Sequence, residues 1–118
     1  MFSRRIACAI LGVVFTLMVC APVGAADLLV ASDGTHSQNG ILRYDGTTGA
    51  FVGRFIDISR PIAMAYGPDG NLYVGSLSTQ SVNRYNGTTG AFLNTFVSSG
   101  SGGLGVPWDM TFGADGNL

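Results

Sequence analysis

Large apolar residues alternate with small or polar ones over most of the chain, in short runs separated by turn-forming residues. Ile62, Met64 and Tyr66 alternate with alanines, and this period of two places the large side chains on one face of a strand. The Gly-Pro-Asp-Gly that follows favours a tight turn, because proline presets φ, aspartate bonds the backbone and glycine accepts positive φ. The pattern predicts an all-β fold, with strands near residues 28–32, 41–44, 51–56, 62–66, 72–75, 82–85, 92–96 and 110–112.

Two blocks of sequence recur in the same order along the chain. Residues 43–51 return at 84–92, and residues 61–72 return at 107–118. The offsets of 41 and 46 residues differ because the loop before the second proline is longer. A unit of four short antiparallel strands that recurs at such an interval is typical of a β-propeller blade.

The position of each strand within the repeat predicts the domain organisation. Residues 27–60 supply the last three strands of a first blade, 61–106 a complete second blade, and 107–118 the start of a third. Because roughly 4–8 blades are needed to close a ring, we expect about two blades of an incomplete ring. We also expect the chain to be the N-terminal part of a longer protein.

The segment at residues 1–25 is typical of a secretory signal peptide. Two arginines form a positive start, an apolar run covers residues 6–19, and Pro22 breaks that run ahead of small residues suited to a signal peptidase. We expect this segment to be helical and to be cleaved after Ala25 or one residue later. An uncleaved membrane anchor is the alternative, since residues 6–26 carry no charge. Cleavage would leave the protein secreted, periplasmic or at the cell surface, with membrane contact only through this segment.

Composition narrows the classes of function. The chain has 118 residues, of which 18 are glycine and only 11% are charged, with neither lysine nor glutamate. Once Arg4 and Arg5 are removed, four arginines remain against seven aspartates, so the basic surface of a nucleic-acid-binding protein is absent. Both cysteines, Cys8 and Cys20, lie in the signal segment, and the mature chain therefore has none with which to form a disulfide.

Three motifs are better explained by structure than by chemistry. The G-x-G-x-x-G of residues 100–105 precedes a strand, whereas a dinucleotide site needs a helix there. Asn86 belongs to a formal glycosylation sequon, yet the first unit has Asp45 in the same turn. The single histidine, His36, has no cysteine or glutamate with which to form a metal site. We expect no cofactor, no metal and no catalytic residue.

The repeat resembles that of NHL-type propellers and of the related gluconolactonase-like propellers. The residues that carry this resemblance are Pro-Ile-Ala-Met-Ala-Tyr-Gly-Pro-Asp-Gly-Asn-Leu-Tyr-Val at 61–74 and the Asn-Arg-Tyr at 83–85. The Tyr-Asp-Gly-Thr-Thr-Gly-Ala-Phe hairpin looks like that of exported bacterial proteins with such repeats, some of which end in a PEP-CTERM sorting tail. The resemblance covers the mature chain. It implies the propeller fold and little about function, because propellers host many unrelated activities.

Two functions of different classes fit this sequence. The first is an exported, non-catalytic propeller module that binds a protein or a carbohydrate, or serves as a surface scaffold. The second is part of a gluconolactonase-like hydrolase or lyase with a metal in its central channel. That chemistry needs several carboxylates and amides converging on the channel, and the sequence offers Asp109 with no visible partner. We therefore favour the non-catalytic module.

Any ligand is expected at the end of the sheets where the loops differ between repeats. The turns at the other end are uniform, whereas loops that vary on a rigid scaffold usually bind. Trp108 is the first choice, because an aromatic side chain can anchor a sugar or a peptide, and packing between blades is its alternative role. The expected ligand-binding residues are His36, Gln38, Arg60, Gln80, Trp108 and Asp109.

Overall fold

The protein is built from short antiparallel strands. The structure, a computed structural model, describes residues 6–10, 18–22, 26–34 and 38–118. Its strands are β1 (Ile6–Ile10), β2 (Met18–Pro22), β3 (Leu28–Asp33), β4 (Asn39–Tyr44), β5 (Phe51–Ile56), β6 (Pro61–Tyr66), β7 (Leu72–Ser76), β8 (Ser81–Tyr85) and β9 (Phe92–Val97). The all-β prediction is confirmed, and so are the seven strands predicted between residues 28 and 96, with ends that differ by a residue or two.

The strands from β3 onwards form two meandering sheets. The first sheet has the order β3-β4-β5 and the second the order β6-β7-β8-β9. Within each sheet, consecutive strands pair antiparallel, with register shifts where β4 meets β5 and where β8 meets β9. These shifts recur at equivalent places because the two sheets are built from the same repeated sequence.

The two sheets stack and share one apolar core. Alternation along β7 directs Leu72 and Val74 towards the first sheet, where they join Ile41 and Ile56 in a buried cluster. Leu29 of β3 packs against the same cluster from the other side. The strand period of two, recognised in the sequence, therefore gives each sheet one face towards this core.

Contacts within each sheet repeat as the sequence does. The rings of Tyr44 and Phe51 meet edge to face at 5.5 Å, and the equivalent rings of Tyr85 and Phe92 meet at 5.6 Å. The guanidinium groups of Arg43 and Arg84 each lie 5.8 Å from the ring of a phenylalanine on the neighbouring strand. Equal distances in the two sheets indicate that these contacts are set within one repeat.

The eighth predicted strand, at residues 110–112, is not formed. This segment is extended but belongs to no sheet. Its counterpart β6 is held by backbone hydrogen bonds to β7, whereas no described strand pairs with residues 110–112. The turn that follows forms nevertheless, because its two bonds, Gly113 N–H to the Asn117 carbonyl at 2.7 Å and Gly116 N–H to the Gly113 carbonyl at 2.9 Å, are local.

The prediction of a helix within residues 1–25 is wrong for residues 6–10 and 18–22, which the structure describes as strands. β1 and β2 pair antiparallel there, with Ile6 opposite Pro22 and Ile10 opposite Met18. An uninterrupted apolar run has no period that separates helix from strand, and its isoleucine and valine content favours strands. Among the described residues, no helix has the length and apolar character needed to cross a membrane.

Candidate functional site

The sheets have two chemically different ends. At the turn end, the loops joining β6 to β7 and β8 to β9 touch, because the Tyr66 hydroxyl donates to the Gly87 carbonyl at 3.2 Å. At the loop end, the Ser76 hydroxyl donates to the Ser59 carbonyl at 2.8 Å, and Leu77 N–H donates to the Arg60 carbonyl at 2.9 Å. These bonds link the loops that differ between repeats.

The turn end is organised by carboxylate and amide oxygens that accept backbone hydrogen bonds. Asp45 Oδ1 accepts from Thr47 and Thr48 N–H at 2.8 and 2.7 Å. Asn86 Oδ1 accepts at 2.8 Å from the two equivalent N–H groups of its own turn. The Thr48 bond, followed by that of Thr47, holds the pKa of Asp45 below its ordinary value. Asn86 thus has the turn-forming role expected of it.

Asp69 organises the turn between β6 and β7. It accepts from the Asn71 side chain at 2.8 Å, from Asn71 N–H at 3.1 Å and from the Tyr73 hydroxyl at 3.0 Å, with the Arg84 guanidinium 3.5 Å away. The Asn71 bonds are the main reason why the pKa of Asp69 lies below its ordinary value. Asp115 and Asn117 repeat the aspartate–asparagine pair, at 2.9 and 3.1 Å. These carboxylates serve the turns.

Two expected ligand-binding residues at the loop end have unusual backbones. Arg60 and Gln80 adopt φ of 48° and 53°. These values lie in the left-handed region, which residues other than glycine rarely adopt. Arg60 is held there because its N–H donates to Asn39 Oδ1 at 2.9 Å while its carbonyl accepts from Leu77. Gln80 N–H donates to the Ser76 carbonyl at 2.9 Å. Both side chains are exposed, so the backbone shapes the loop and the side chains point to solvent.

Two further expected residues lie in the loop between β3 and β4. His36 falls outside the described residues. Gln38 is exposed, and its carbonyl accepts from the Ser32 hydroxyl at 2.6 Å, which anchors that end of the loop.

Trp108 and Asp109 line a cleft of about 610 Å³. Its floor includes Val82 and Val97 of the second sheet, and its rim is formed by the glycine-rich residues 101–103. Trp108 is 70% exposed, the most exposed large apolar side chain within residues 26–34 and 38–118.

Asp109 adds a hydrogen-bond acceptor to the lining of the same cleft. Its Oδ1 accepts from Met110 N–H at 2.8 Å, and no described residue donates to its Oδ2. The cleft therefore offers an apolar surface next to a carboxylate oxygen that can accept a hydrogen bond from a ligand. Gln38, Arg60 and Gln80 do not line it.

The rim of the cleft was not anticipated as part of a site. Residues 101–103 form a short 3-10 turn in which Gly102 and Gly103 have positive φ, and a side chain at either would meet open space. The available signal was the extra length of this loop relative to residues 57–60. A second cleft, of about 620 Å³, lies between the sheets beside Phe55, Met64 and Tyr66, and only the stacking of the sheets creates it.

Comparison with known proteins adds no relative. No family model, curated protein or solved structure matches this chain. Within the described ranges, no three histidine, cysteine, aspartate or glutamate side chains gather as a metal site requires.

Proposed function

We propose that this chain is an exported, non-catalytic binding module with a β-propeller fold of the NHL-like kind, and that its ligand is a carbohydrate. The propeller is supported by the repeat, by the meander order of the second sheet and by the stacking of equivalent sheets. Export is supported by the charge and apolar pattern of residues 1–25.

Exposure of Trp108 is the observation that carries the binding proposal. A flat indole that is 70% exposed can cover the apolar face of a sugar ring, and binding would remove that apolar area from water. Asp109, which lines the same cleft, can accept hydrogen bonds from sugar hydroxyls, and hydrogen bonds to a charged group contribute roughly 1.5–3 kcal/mol each. Cleft, ring and acceptor together match the usual arrangement of an apolar surface with a few polar groups that fix orientation.

The repeat itself indicates that these two residues are special. Trp108 and Asp109 occupy the positions of Ile62 and Ala63, which are half-buried and buried in the first occurrence of the same block. The residues on either side of them, Pro107 and Met110, are kept. A packing role would be met by the aliphatic residues of the first occurrence, so the change to an indole and a carboxylate favours a ligand.

The single tryptophan of the chain makes the proposal directly measurable. Soluble oligosaccharides of defined composition are titrated into the full chain while Trp108 fluorescence is followed. We expect a saturable change with at least one oligosaccharide. Asp109→Ala keeps the reporter and should weaken binding roughly tenfold, from the loss of a hydrogen bond to a charged acceptor. Trp108→Ile, measured by calorimetry, should abolish it.

Matched variants distinguish this cleft from the rest of the loop end. Arg60→Gly and Gln80→Gly relieve left-handed strain and remove two exposed side chains outside the cleft, and they should leave the affinity unchanged. If they weaken binding and Asp109→Ala does not, the cleft is the wrong site. If only peptides change the fluorescence, the carbohydrate assignment is wrong.

A further inference from the structure

The first sheet exposes positions that the second sheet buries. Leu28 and Val30 of β3 are the repeat equivalents of Leu72 and Val74 of β7, since each pair lies opposite equivalent residues of the following strand. Leu72 and Val74 are 1% and 0% exposed because the first sheet covers them, whereas Leu28 and Val30 are 54% and 37% exposed. This face of β3, called the open face below, is thus an apolar surface whose equivalent within the same molecule is covered by a sheet.

The first sheet also has one strand fewer than the second. β7 pairs with β6 on one side and β8 on the other, whereas β3 pairs only with β4 among the described strands. The backbone along residues 28–32 therefore presents an edge to which a further strand can bond. The structure defines what that strand would be, because β6 is its equivalent in the second sheet.

The chain carries a second version of β6 at residues 107–112, and no strand among the described residues pairs with this segment. It is already placed as β6 is, because each of the two segments lies against the sheet that precedes it in the chain. Phe112 packs edge to face on Tyr73 with ring centroids 4.9 Å apart. A side chain at Gly75 would meet Pro107 at 2.9 Å and Met110 at 3.0 Å, so the absence of one lets the segment approach.

We propose that two copies of this chain associate through the free edge of β3 in one copy and residues 107–112 in the other. Residues 107–112 of one copy pair antiparallel with β3 of the next, and the outer face of the second sheet, marked by Tyr73 and Phe96, covers the open face. The β6–β7 register places Met110 opposite Val30 and Phe112 opposite Leu28. The arrangement continues the interface that already joins the two sheets.

This contact is head-to-tail, because different surfaces of the two copies meet. Repeating such a contact produces a ring if the rotation closes and an open filament if it does not. Ile62 lies at the irregularity of the β6–β7 ladder and outside its regular pairs. Trp108, its equivalent, is therefore left out of the new ladder. Val82 and Val97, which line the cleft, are the equivalents of the buried Ile41 and Ile56, so the second copy covers the cleft and competes with a ligand there.

Cysteine pairs test the geometry in the full chain, with Cys8→Ser and Cys20→Ser as background. Directly opposed residues of adjacent strands lie within reach of a disulfide. A Val30→Cys chain mixed with a Met110→Cys chain should form a disulfide-linked dimer under mild oxidation, and neither chain alone should. A Thr47→Cys chain mixed with the Met110→Cys chain is the matched control, since Thr47 lies in an exposed turn away from the edge. It should stay monomeric.

Sedimentation of the full chain provides a test that does not depend on oxidation. The average mass should rise with concentration, and Val30→Lys should shift this rise to at least tenfold higher concentration. Thr47→Lys adds the same charge elsewhere and should leave it unchanged, with circular dichroism confirming that both variants fold. A monomer at all concentrations would overturn the proposal. So would a dimer formed by the Val30→Cys chain alone, which would mean that like surfaces meet.

Discussion

Gly49 and Gly90, which are equivalent in the repeat, have the same backbone conformation but different surroundings. Gly49 and Gly90 end equivalent hairpin turns with φ of 75° and 78°. A Cβ at Gly49 would meet nothing within 4 Å, whereas one at Gly90 would lie 2.5 Å from the Phe55 carbonyl of the first sheet. The same substitution therefore tests backbone strain alone at one site and strain plus close packing at the other.

We expect Gly49→Ala to lower the free energy of unfolding by roughly 1–2 kcal/mol, the cost of a left-handed conformation for an L-residue. Gly90→Ala should cost about 1–3 kcal/mol more, because the sheets must separate slightly to admit the methyl group. Urea unfolding of the two variants beside the parent measures both values. Equal losses would show that the contact between the second sheet's turn and Phe55 does not restrain the stack.

At the level of secondary structure, two segments with the same alternation of residues differ in whether they form a strand, because only one of them has a partner among the described strands. β6 and residues 107–112 share the same alternation, and both lie against a sheet. Only β6 is bonded along its edge, to β7. Backbone hydrogen bonds to a neighbouring strand protect amides from exchange, whereas packing of side chains alone leaves them open to water.

Hydrogen exchange measured at low protein concentration should therefore separate the two segments. We expect the β6 amides that bond to β7 to exchange slowly and the equivalent amides within 109–112 to exchange within the range of exposed loops. The turn at 113–117 should be intermediate, since its two local hydrogen bonds survive without a sheet. Equally slow exchange in both segments of a monomeric sample would mean that 109–112 is held by bonds other than those of a sheet.

For the molecule as a whole, the described strands of the first segment form a sheet of their own, apart from the two larger sheets. β1 and β2 bond to each other, and within the described part of the chain neither joins the sheets formed by β3 to β9. The buried cluster that holds the sheets together runs from Ile41 to Tyr85, with Leu29 packed against it. Removal of the first segment should accordingly leave the sheets intact.

The processed protein should begin at Ala26 or Asp27, as amino-terminal sequencing of exported material can establish. Its far-ultraviolet circular dichroism should retain the strand signal of the full chain, with thermal unfolding at a similar temperature. Intact Met1 recovered from a membrane fraction would contradict processing. Loss of the strand signal after removal of residues 1–25 would instead show that the first segment supports the sheets.

The sequence by itself determined what is local in this protein. Strand positions between residues 28 and 96 followed from a period of two, and Gly90 was predicted to be left-handed from its place in the hairpin. The equivalence of Asp45 and Asn86 as turn acceptors was also visible, because each bonds N–H groups two and three residues on. Such features need only neighbouring residues, and therefore they can be recognised from the order of residues alone.

Tertiary structure decided what depends on a partner far along the chain. Residues 110–112 carry the strand pattern but form no strand, since a ladder needs a second backbone. In the first segment, residues 6–10 and 18–22 pair as β1 and β2, an outcome that hydropathy could not distinguish from a helix. Trp108 and Asp109 were predictable as residues of interest, but their cleft exists only because the loop at 101–103 folds beside Val82 and Val97. Burial likewise separates Leu72 from Leu28, two equivalent residues of which only Leu72 is covered by a neighbouring sheet.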